Sequence, residues 1–331
     1  MDLNHGGRLM EIGSYIELDL RSTGEYYDGV NMARLNTARA GIYHCLNIIH
    51  CNTIYLPYYE CFTVRNFLLN KGIKVKYYKI DRSFGPQIDQ IESNAAVLFV
   101  NYFGIMSQRR MRNLAFAYEN VIIDNAQAFY SAPIENCYNI YSPRKFFGVP
   151  DGCYVIGPQA SMYEEAYEQD CSSATASFLL ERIEVGCNEA YGARMKNEER
   201  IDQSDIMRMS KLTLALLKGE PYDEIKKKRI ENFKYAHSLY KSLNMIDPLM
   251  YFDDNCVPLV YPLVIKGENM VEELIKNQIY TGRWWNYLLK ETDDNSFENE
   301  LSSYMIPIPI DQRYGYDEIN HVFSTINKLL K

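Results

Sequence analysis

Short apolar runs alternate with helix-length segments through the first half of the 331-residue chain. Six runs rich in β-branched and aromatic side chains predict strands: Ile54–Tyr59, Ile73–Ile80, Ala95–Phe103, Asn120–Ile123, Tyr138–Tyr141 and Cys153–Ile156. Three segments between them predict helices: Thr37–Ile49, Phe62–Lys71 and Arg109–Glu119. Strands that are apolar on both faces occur in parallel sheets covered by helices. The pattern therefore predicts an α/β fold with a mostly parallel central sheet.

The second half of the chain has a different pattern. A largely helical stretch, Met162–Leu217, leads through a Gly-Glu-Pro turn to a long charged amphipathic helix, Tyr222–Leu243. Its charge run Glu224–Arg229 is expected to face solvent. Two strands and two helices follow: Pro258–Ile265, Met305–Ile310, Met270–Gln278 and Tyr316–Leu330. We expect a large α/β domain over residues 1–230 and a smaller α+β domain over residues 231–331.

Composition and charge narrow the classes of function. The chain carries 35 Lys and Arg against 43 Asp and Glu, a net charge of −8, which argues against non-specific binding to nucleic acid or anionic membranes. No apolar segment approaches the roughly 20 residues of a membrane span. The polar N-terminus, Met1–Arg8, does not resemble a signal peptide. Eight scattered cysteines without a CxxC pair, and five histidines without ligand spacing, predict a cytoplasmic protein with reduced thiols and no metal site.

The stretch that carries chemistry lies between two predicted strands. Asp124 stands at the carboxyl end of an apolar strand, where α/β folds place ligand-binding groups. Lys145 follows the next strand in a Ser-x-x-Lys sequence, in a setting rich in turn-forming residues. One excursion of the chain from Asp124 could return this lysine to the same sheet edge. Taken singly, Asp124 could be a turn or cap residue and Lys145 a solvated loop residue.

These residues together resemble the DegT/StrS sugar aminotransferases, which are pyridoxal phosphate enzymes of fold type I. The resemblance rests on Asp124-x-Ala-Gln127 and on a lysine followed six residues later by Asp151-Gly152. Weaker similarities extend it over most of the chain: Leu35–Ile42 to a phosphate-binding turn, Leu56–Gly72 to a strand–helix unit, and Leu301–Leu330 to the C-terminal strand and helix. The resemblance implies the fold-type-I architecture and a pyridoxal phosphate cofactor.

The resemblance also implies residue roles. Lys145 would form the Schiff base with the cofactor, and Asp124 would face the pyridine nitrogen. Gln127 would approach the ring hydroxyl. The phosphate would meet Thr37 and Ala38 at a helix start, together with the Ser142 hydroxyl. On its own, Thr37 reads as an ordinary N-cap, which is compatible with the phosphate role.

Three departures from the family pattern mark a divergent member. Ile140 stands where the family carries a phosphate-binding serine, and Cys61 stands where it carries an aromatic residue over the ring. Tyr58, Tyr59 or Phe62 could supply that aromatic face, or a thiol could occupy it. The nearest match to a later Gly-x-Asn-x-Arg-Met motif is Gly192–Met195, which lacks the asparagine.

By resemblance, the protein is an aminotransferase of sugar biosynthesis that moves an amino group from an amino acid to a keto-sugar or related carbonyl compound, and it forms a homodimer. Arg283 is a candidate for binding an anionic substrate, while Trp284-Trp285 could belong to the core, an interface or the substrate pocket. Two alternatives stay open. One is another pyridoxal phosphate reaction of the lyase or dehydratase type. The other is a degenerate member that binds cofactor without turnover.

Overall fold

The centre of the molecule is an eight-stranded sheet. A computed structural model describes residues 12–267 and 269–330. The strands of the sheet are β1 Met32–Leu35, β2 Thr53–Pro57, β3 Lys74–Ile80, β4 Pro86–Gln87, β5 Ala96–Val100, β6 Val121–Asp124, β7 Tyr138–Tyr141 and β8 Cys153–Ile156. Their spatial order is β1-β8-β7-β6-β5-β2-β3-β4.

Most neighbouring strands in the sheet are parallel. Strand β8 runs antiparallel to both β1 and β7, and β4 runs antiparallel to β3, while the other neighbours are parallel. Every residue of β5, β6 and β7 is buried, as expected for central strands covered on both faces. Because β1, β2, β5, β6 and β7 all end at one edge of the sheet, the residues that follow them converge there.

Eleven helices are present in the described residues. They are α1 Ala38–Ile49, α2 Phe62–Asn70, α3 Gln108–Phe116, α4 Ser177–Glu189, α5 Tyr191–Gln203, α6 Lys211–Lys218, α7 Tyr222–Tyr240, α8 Met270–Lys276, α9 Leu288–Glu291, α10 Phe297–Tyr304 and α11 Tyr316–Leu329. Helix α1 lies directly on the sheet: a Cβ atom added to Gly41 would be 2.8 Å from the Cys153 sulfur. Only glycine permits this close approach of helix to strand.

A two-stranded antiparallel sheet lies in the C-terminal third of the chain. It consists of β9 Val260–Val264 and β10 Met305–Pro309, with Leu263 opposite Ile306. Helix α7 packs on β9, and α11 packs on α7 and α8. The buried apolar side chains of this region are continuous with those beneath the large sheet. The division at residue 230 stays a prediction, and that position falls inside α7.

The prediction that the charge run of α7 faces solvent is wrong for Arg229. This side chain is 1% exposed and donates hydrogen bonds to the carbonyl oxygens of Pro258 and Leu259. Its guanidinium also lies 4.5 Å from the centre of the Phe146 ring. Burial lowers the pKa of Arg229 to about 10. A helix that is charged on most of its surface therefore sends one cation inward, where carbonyl oxygens replace water.

The predicted strands and helices agree closely with the structure in the first half. The expected strand Ala95–Phe103 is shorter, because β5 ends at Val100 and a 3-10 turn follows at Tyr102–Gly104. Phe103 and Gly104 both have positive φ there, +57° and +72°. Strands β1 and β4 and helices α9 and α10 were not predicted. No helix in residues 12–267 and 269–330 has the length and apolarity that a membrane crossing needs. The N-terminal octapeptide lies outside the described residues.

Candidate active site

The sheet edge at which β1, β2, β6 and β7 end gathers nearly all of the predicted site residues. Thr37 and Ala38 follow β1, and Tyr59 and Cys61 follow β2. Asp124 is the last residue of β6, with Gln127 just after it. Ser142 and Lys145 follow β7. The topology therefore brings together residues that are up to 108 positions apart in the sequence.

Lys145 is placed by a short 3-10 turn. The turn spans Pro143–Lys145 and is closed by hydrogen bonds from the backbone N–H groups of Phe146 and Phe147 to the Pro143 carbonyl oxygen, both 2.9 Å. Lys145 is exposed, and it forms no ion pair within the described residues. Phe146 and Phe147, which follow it in the chain, are buried. They fix the turn and leave the amine accessible.

Asp124 is buried at the end of β6. Its side chain is 5% exposed, and Oδ1 accepts a hydrogen bond of 2.7 Å from the Ala126 N–H. Burial raises the pKa of this carboxyl, while the positive charge of Lys145 and the Ala126 hydrogen bond oppose the rise. Asp124 and Lys145 come from the ends of the neighbouring parallel strands β6 and β7, which places the charge of one near the other. A second cation near Asp124 would stabilise its ionised form further.

Thr37 caps helix α1. Its hydroxyl oxygen accepts a hydrogen bond of 3.2 Å from the Ala40 N–H, and its carbonyl oxygen accepts one from the Gly41 N–H. The cap reading of this threonine is therefore correct. The N–H groups of Ala38 and Arg39, in the first turn, have no intrahelical acceptor, and they point out of the positive end of the helix. Such a helix start can bind an anion.

The residues predicted to surround a cofactor ring have distinct environments. Gln127 is 3% exposed and its Oε1 accepts a hydrogen bond of 2.8 Å from the Phe103 N–H, so its amide plane is fixed. Tyr59 is fully buried, and its ring packs edge-on against Trp285 with 4.3 Å between ring centres. Cys61 is half-buried, and its sulfur lies 3.1 Å from the Thr63 hydroxyl.

Arg283 comes from a distant segment that covers the same edge. Two residues beyond it, Trp285 packs on Tyr59, and the Tyr287 hydroxyl donates a hydrogen bond to the Glu60 carbonyl oxygen. Trp284 stacks on Phe103 with 5.7 Å between ring centres. Arg283 is half-buried. The tryptophan pair is therefore part of the wall above β2 and β5.

The Asp-Gly pair behind Lys145 has a structural role. Asp151 is fully buried and accepts hydrogen bonds from the Ser210 N–H, the Ser210 hydroxyl and the Thr213 hydroxyl at 3.0, 2.6 and 2.9 Å. Gly152 has a φ of +121°, and a Cβ atom there would be 2.9 Å from Pro143. These two residues anchor the lysine turn to the start of α6.

A second Arg-Met pair, besides the one identified from sequence, lies beside the end of β1. Gly192–Met195 is within α5. Arg208 and Met209, by contrast, run beside the end of β1. The backbone of Arg208 forms an antiparallel β-bridge with Leu35, and the Met209 N–H donates a hydrogen bond of 2.9 Å to the Arg34 carbonyl oxygen. Sequence spacing alone could not separate the two pairs, because both follow polar helical stretches.

Glu60 is the residue at this edge that sequence reasoning did not identify. It lies between Tyr59 and Cys61, it is 5% exposed, and its Oε1 accepts a hydrogen bond of 2.6 Å from the Cys61 N–H. Burial and the nearby charge of Asp124 raise the pKa of Glu60 to about 8, against the opposing charge of Lys145. A charged residue in a loop is expected to be exposed, so no local signal indicated its burial.

The residues present fit a phosphorylated cofactor with an aldehyde. The accessible amine of Lys145, the buried Asp124 and the unpaired amides at the start of α1 supply a nucleophile, a counterion for a ring cation and an anion site. In the described residues, no three His, Cys, Asp or Glu side chains cluster as a metal site would require.

No protein-family profile matches this sequence, and no curated protein matches it either. Solved structures do match the fold. The sugar aminotransferase CalS13 from Micromonospora echinospora is 15% identical and aligns over 90% of this chain and 87% of its own, with a TM-score of 0.61. NtdA from Bacillus subtilis, with bound cofactor PMP, is 13% identical over 90% of this chain and 73% of its own, with a TM-score of 0.63. A DegT DnrJ EryC1 StrS aminotransferase from Brucella abortus is 12% identical over 90% and 85%, with a TM-score of 0.62. The predicted fold, a mostly parallel sheet of the fold-type-I aminotransferase kind with helices around it, is confirmed.

Proposed function

We propose that this protein is a pyridoxal phosphate-dependent aminotransferase that moves an amino group from an amino acid to a keto-sugar or a related carbonyl compound. The observation that carries the proposal is the placement of an accessible Lys145 and a buried Asp124 at one sheet edge. The same fold occurs in sugar aminotransferases, which agrees with this reading. Divergence at Cys61 and Ile140 concerns the surroundings of this pair and leaves both members in place.

Several side chains would hold the cofactor. Pyridoxal phosphate, when bound, supplies an aldehyde that condenses with amines and a ring that accepts electrons. The Asp124 carboxylate would hold a proton at the ring nitrogen, and the fixed amide of Gln127 would orient the ring hydroxyl. The first-turn amides of α1 and the Ser142 hydroxyl would bind the phosphate.

Lys145 would act twice. Its amine would bind the cofactor as a Schiff base at rest, and after displacement by the amino donor it would move a proton at the substrate carbon. In the overall exchange, the amino donor would become a keto acid, and an amino group would replace the carbonyl oxygen of the acceptor. The guanidinium of Arg283, on the segment above β2, would attract an anionic group of either substrate.

A homodimer and a cytoplasmic location are part of this proposal. Helix α4 has no buried residue, and it exposes Leu180, Ile183 and Val185 by 64, 82 and 56%. Exposed apolar side chains of this kind support an interface between subunits. All eight cysteines are free thiols, which agrees with a reducing compartment.

Borohydride reduction followed by peptide mapping tests the proposal. We expect reduction of the purified protein with pyridoxal phosphate to attach the cofactor to Lys145 and to no other lysine. Lys145→Ala should lose the adduct, whereas the control Lys79→Ala, at an exposed position of β3, should keep it. An adduct at another lysine, or none in the presence of excess cofactor, would contradict the assignment.

A panel of amino donors separates transfer from elimination. An aminotransferase consumes one amino acid for each amine formed on the acceptor and releases the matching keto acid. A lyase or dehydratase of the same fold would change the carbonyl substrate without consuming any donor. A degenerate member would give the borohydride adduct with neither product.

A further inference from the structure

Glu60 is a buried acid with an unfilled hydrogen-bonding position. It follows Tyr59 beyond the carboxyl end of β2 and is 5% exposed. Only Oε1 has a donor, the Cys61 N–H at 2.6 Å. Oε2 is buried without a hydrogen-bond partner among the described residues. A buried carboxyl oxygen in this state favours the protonated form, because an uncompensated charge there is costly.

The loop that carries Glu60 is fixed from three directions. The Tyr102 hydroxyl donates to the Tyr59 carbonyl oxygen at 2.8 Å, and the Tyr287 hydroxyl donates to the Glu60 carbonyl oxygen. Trp285 packs edge-on against Tyr59. These contacts come from the segment after β5 and from the segment before α9. These contacts fix the backbone at Glu60, and the Cys61 N–H holds its side chain through Oε1.

Glu60 lies at the same sheet edge as Asp124 and Lys145, because it follows β2 while they end β6 and follow β7 in the order β7-β6-β5-β2. The titratable groups whose charges bear on it are Asp124, Lys145, Tyr78, Tyr102 and Tyr287. Burial raises the pKa of each of the three tyrosines above its usual range, so all three stay neutral below pH 10. Two acids and one cation remain. The pKa values of Asp124 and Glu60 are both raised by burial, and Glu60 is raised further by Asp124.

Two carboxyls beside one lysine favour a single negative charge over two, because like charges in a low-dielectric site repel. We propose that Glu60 is a positioning residue of this site, which holds the proton while Asp124 carries the charge and thereby sets the charge that a cofactor bound to Lys145 meets. This role rests on the proposed function for the cofactor, and on the burial of both carboxyls and the unpartnered Oε2 of Glu60 for the restriction to one charge. Glu60 lies outside the stretch from Asp124 to Gly152, which contains Lys145.

The direction of the effect follows from the charges. Near neutral pH, Glu60 is uncharged and acts on Lys145 only weakly. As the pH rises through about 8, Glu60 ionises, and its negative charge would favour a proton on the nitrogen that joins Lys145 to the cofactor. Glu60→Gln keeps the size and the neutral form but removes this charge. In the variant, that nitrogen should therefore release its proton at lower pH.

The first experiment is an absorbance titration from pH 6 to 10 of the protein loaded with pyridoxal phosphate. Absorbance of the bound cofactor reports whether the nitrogen that joins it to Lys145 is protonated. We expect the wild type to titrate over a broad range, and Glu60→Gln to titrate as a single proton step with its midpoint lower by about one pH unit. Glu60→Asp keeps a carboxyl and should keep the broad titration. The control Glu291→Gln removes an acid from a surface pair with Arg65 and should match the wild type.

The second experiment uses cofactor-free protein and compares melting temperatures at pH 5.5 and 8.5. The folded pKa of Glu60 lies above that of an ordinary glutamate, so its stabilising contribution is complete below about pH 4.5 and is lost as the pH rises to about 8. Glu60→Gln does not undergo this loss. Its melting temperature relative to the wild type should therefore rise by about 2–6 °C between the two pH values.

The outcomes separate this proposal from the proposed function. A wild type that gives no borohydride adduct removes the cofactor from the site and overturns both. A wild type that binds cofactor, with a Glu60→Gln titration identical to its own, overturns the role of Glu60 alone. A difference in melting temperature between Glu60→Gln and the wild type that does not change with pH also overturns the role of Glu60 alone. If Glu60→Gln does not fold, a wild-type titration that fits one proton step overturns the proposal, and a broad one retained in Glu60→Asp supports it.

Discussion

Asp151 and Glu60 are two buried acids at the same end of the sheet, and they differ in the number of hydrogen bonds that their side chains accept. Asp151 accepts three hydrogen bonds from Ser210 and Thr213 at the start of α6. Glu60 accepts one, from the Cys61 N–H, and its second oxygen has no partner among the described residues. Asp151 therefore joins two parts of the fold, whereas Glu60 leaves hydrogen-bonding capacity and charge for the site beside it.

In the number of hydrogen bonds that its side chain accepts, Asp124 resembles Glu60 and not Asp151. It accepts one hydrogen bond from its own loop, and the charge of Lys145 is its main stabilising neighbour. We interpret the acid whose oxygens all have hydrogen-bond donors, Asp151, as a residue for stability. We interpret the two acids with fewer donors, Glu60 and Asp124, as residues for a ligand or a reaction. Substitution at each position tests this distinction.

The largest expected effect is that of Asp124→Asn on activity. The neutral amide cannot hold a proton on the ring nitrogen, so we expect turnover to fall by about 10²–10³-fold while cofactor stays bound through its phosphate. Single-turnover kinetics with a reactive amino donor, combined with the absorbance of bound cofactor, measure the two quantities separately. Near wild-type turnover would show that Asp124 is not the partner of the ring nitrogen. A loss of stability alone would place it with Asp151.

The sequence carried enough information for most of the fold. Strand β5 is a continuous apolar run, β6 is apolar up to Asp124, and β7 is apolar except for Asn139, so their pattern predicts buried strands. Strand β1 was not predicted, because its four residues include Arg34 and it gains its place by pairing with β8. Helix α10 was not predicted, because it begins after a polar Asp-Asp-Asn-Ser stretch whose last residue, Ser296, is its N-cap.

The site was predictable where its signal is local. Asp124 and Lys145 each stand at the end of an apolar strand, and strand ends converge in a parallel sheet. Glu60 has no comparable signal. Its burial depends on Tyr102 and on Tyr287, the second of which is 227 residues away in the chain. Tertiary packing of this kind overrides the usual exposure of a charged residue.

Asp151→Asn should lower stability and leave the chemistry of the site intact. The amide accepts fewer and weaker hydrogen bonds than a carboxylate, and its NH₂ group faces hydroxyl and N–H donors in a fully buried position. We expect the free energy of unfolding to fall by about 2–4 kcal/mol. Urea unfolding of the cofactor-free protein measures it.

A matched control for this variant is Asp254→Asn, whose carboxylate is 97% exposed in a loose pair with Lys234. It should change stability by less than about 0.5 kcal/mol. The borohydride adduct at Lys145 should form in both variants. If Asp151→Asn keeps full stability but loses the adduct, Asp151 belongs to the site and the contrast with Glu60 is wrong.

The smallest expected effects separate the roles of two hydroxyl side chains at the predicted phosphate site, Thr37 and Ser142. Thr37 accepts the Ala40 N–H as the N-cap of α1, so Thr37→Ala should lower the free energy of unfolding of the cofactor-free protein by about 0.5–2 kcal/mol. Ser142 has no capping hydrogen bond in its own turn. Ser142→Ala should therefore leave the apo melting temperature unchanged and weaken pyridoxal phosphate binding by about 1.5–3 kcal/mol, as the loss of one hydrogen bond to a charged group. Cofactor titration and thermal melting of both single variants distinguish the two roles: a Ser142→Ala variant that binds cofactor as tightly as the wild type would place the phosphate entirely on the amides of α1.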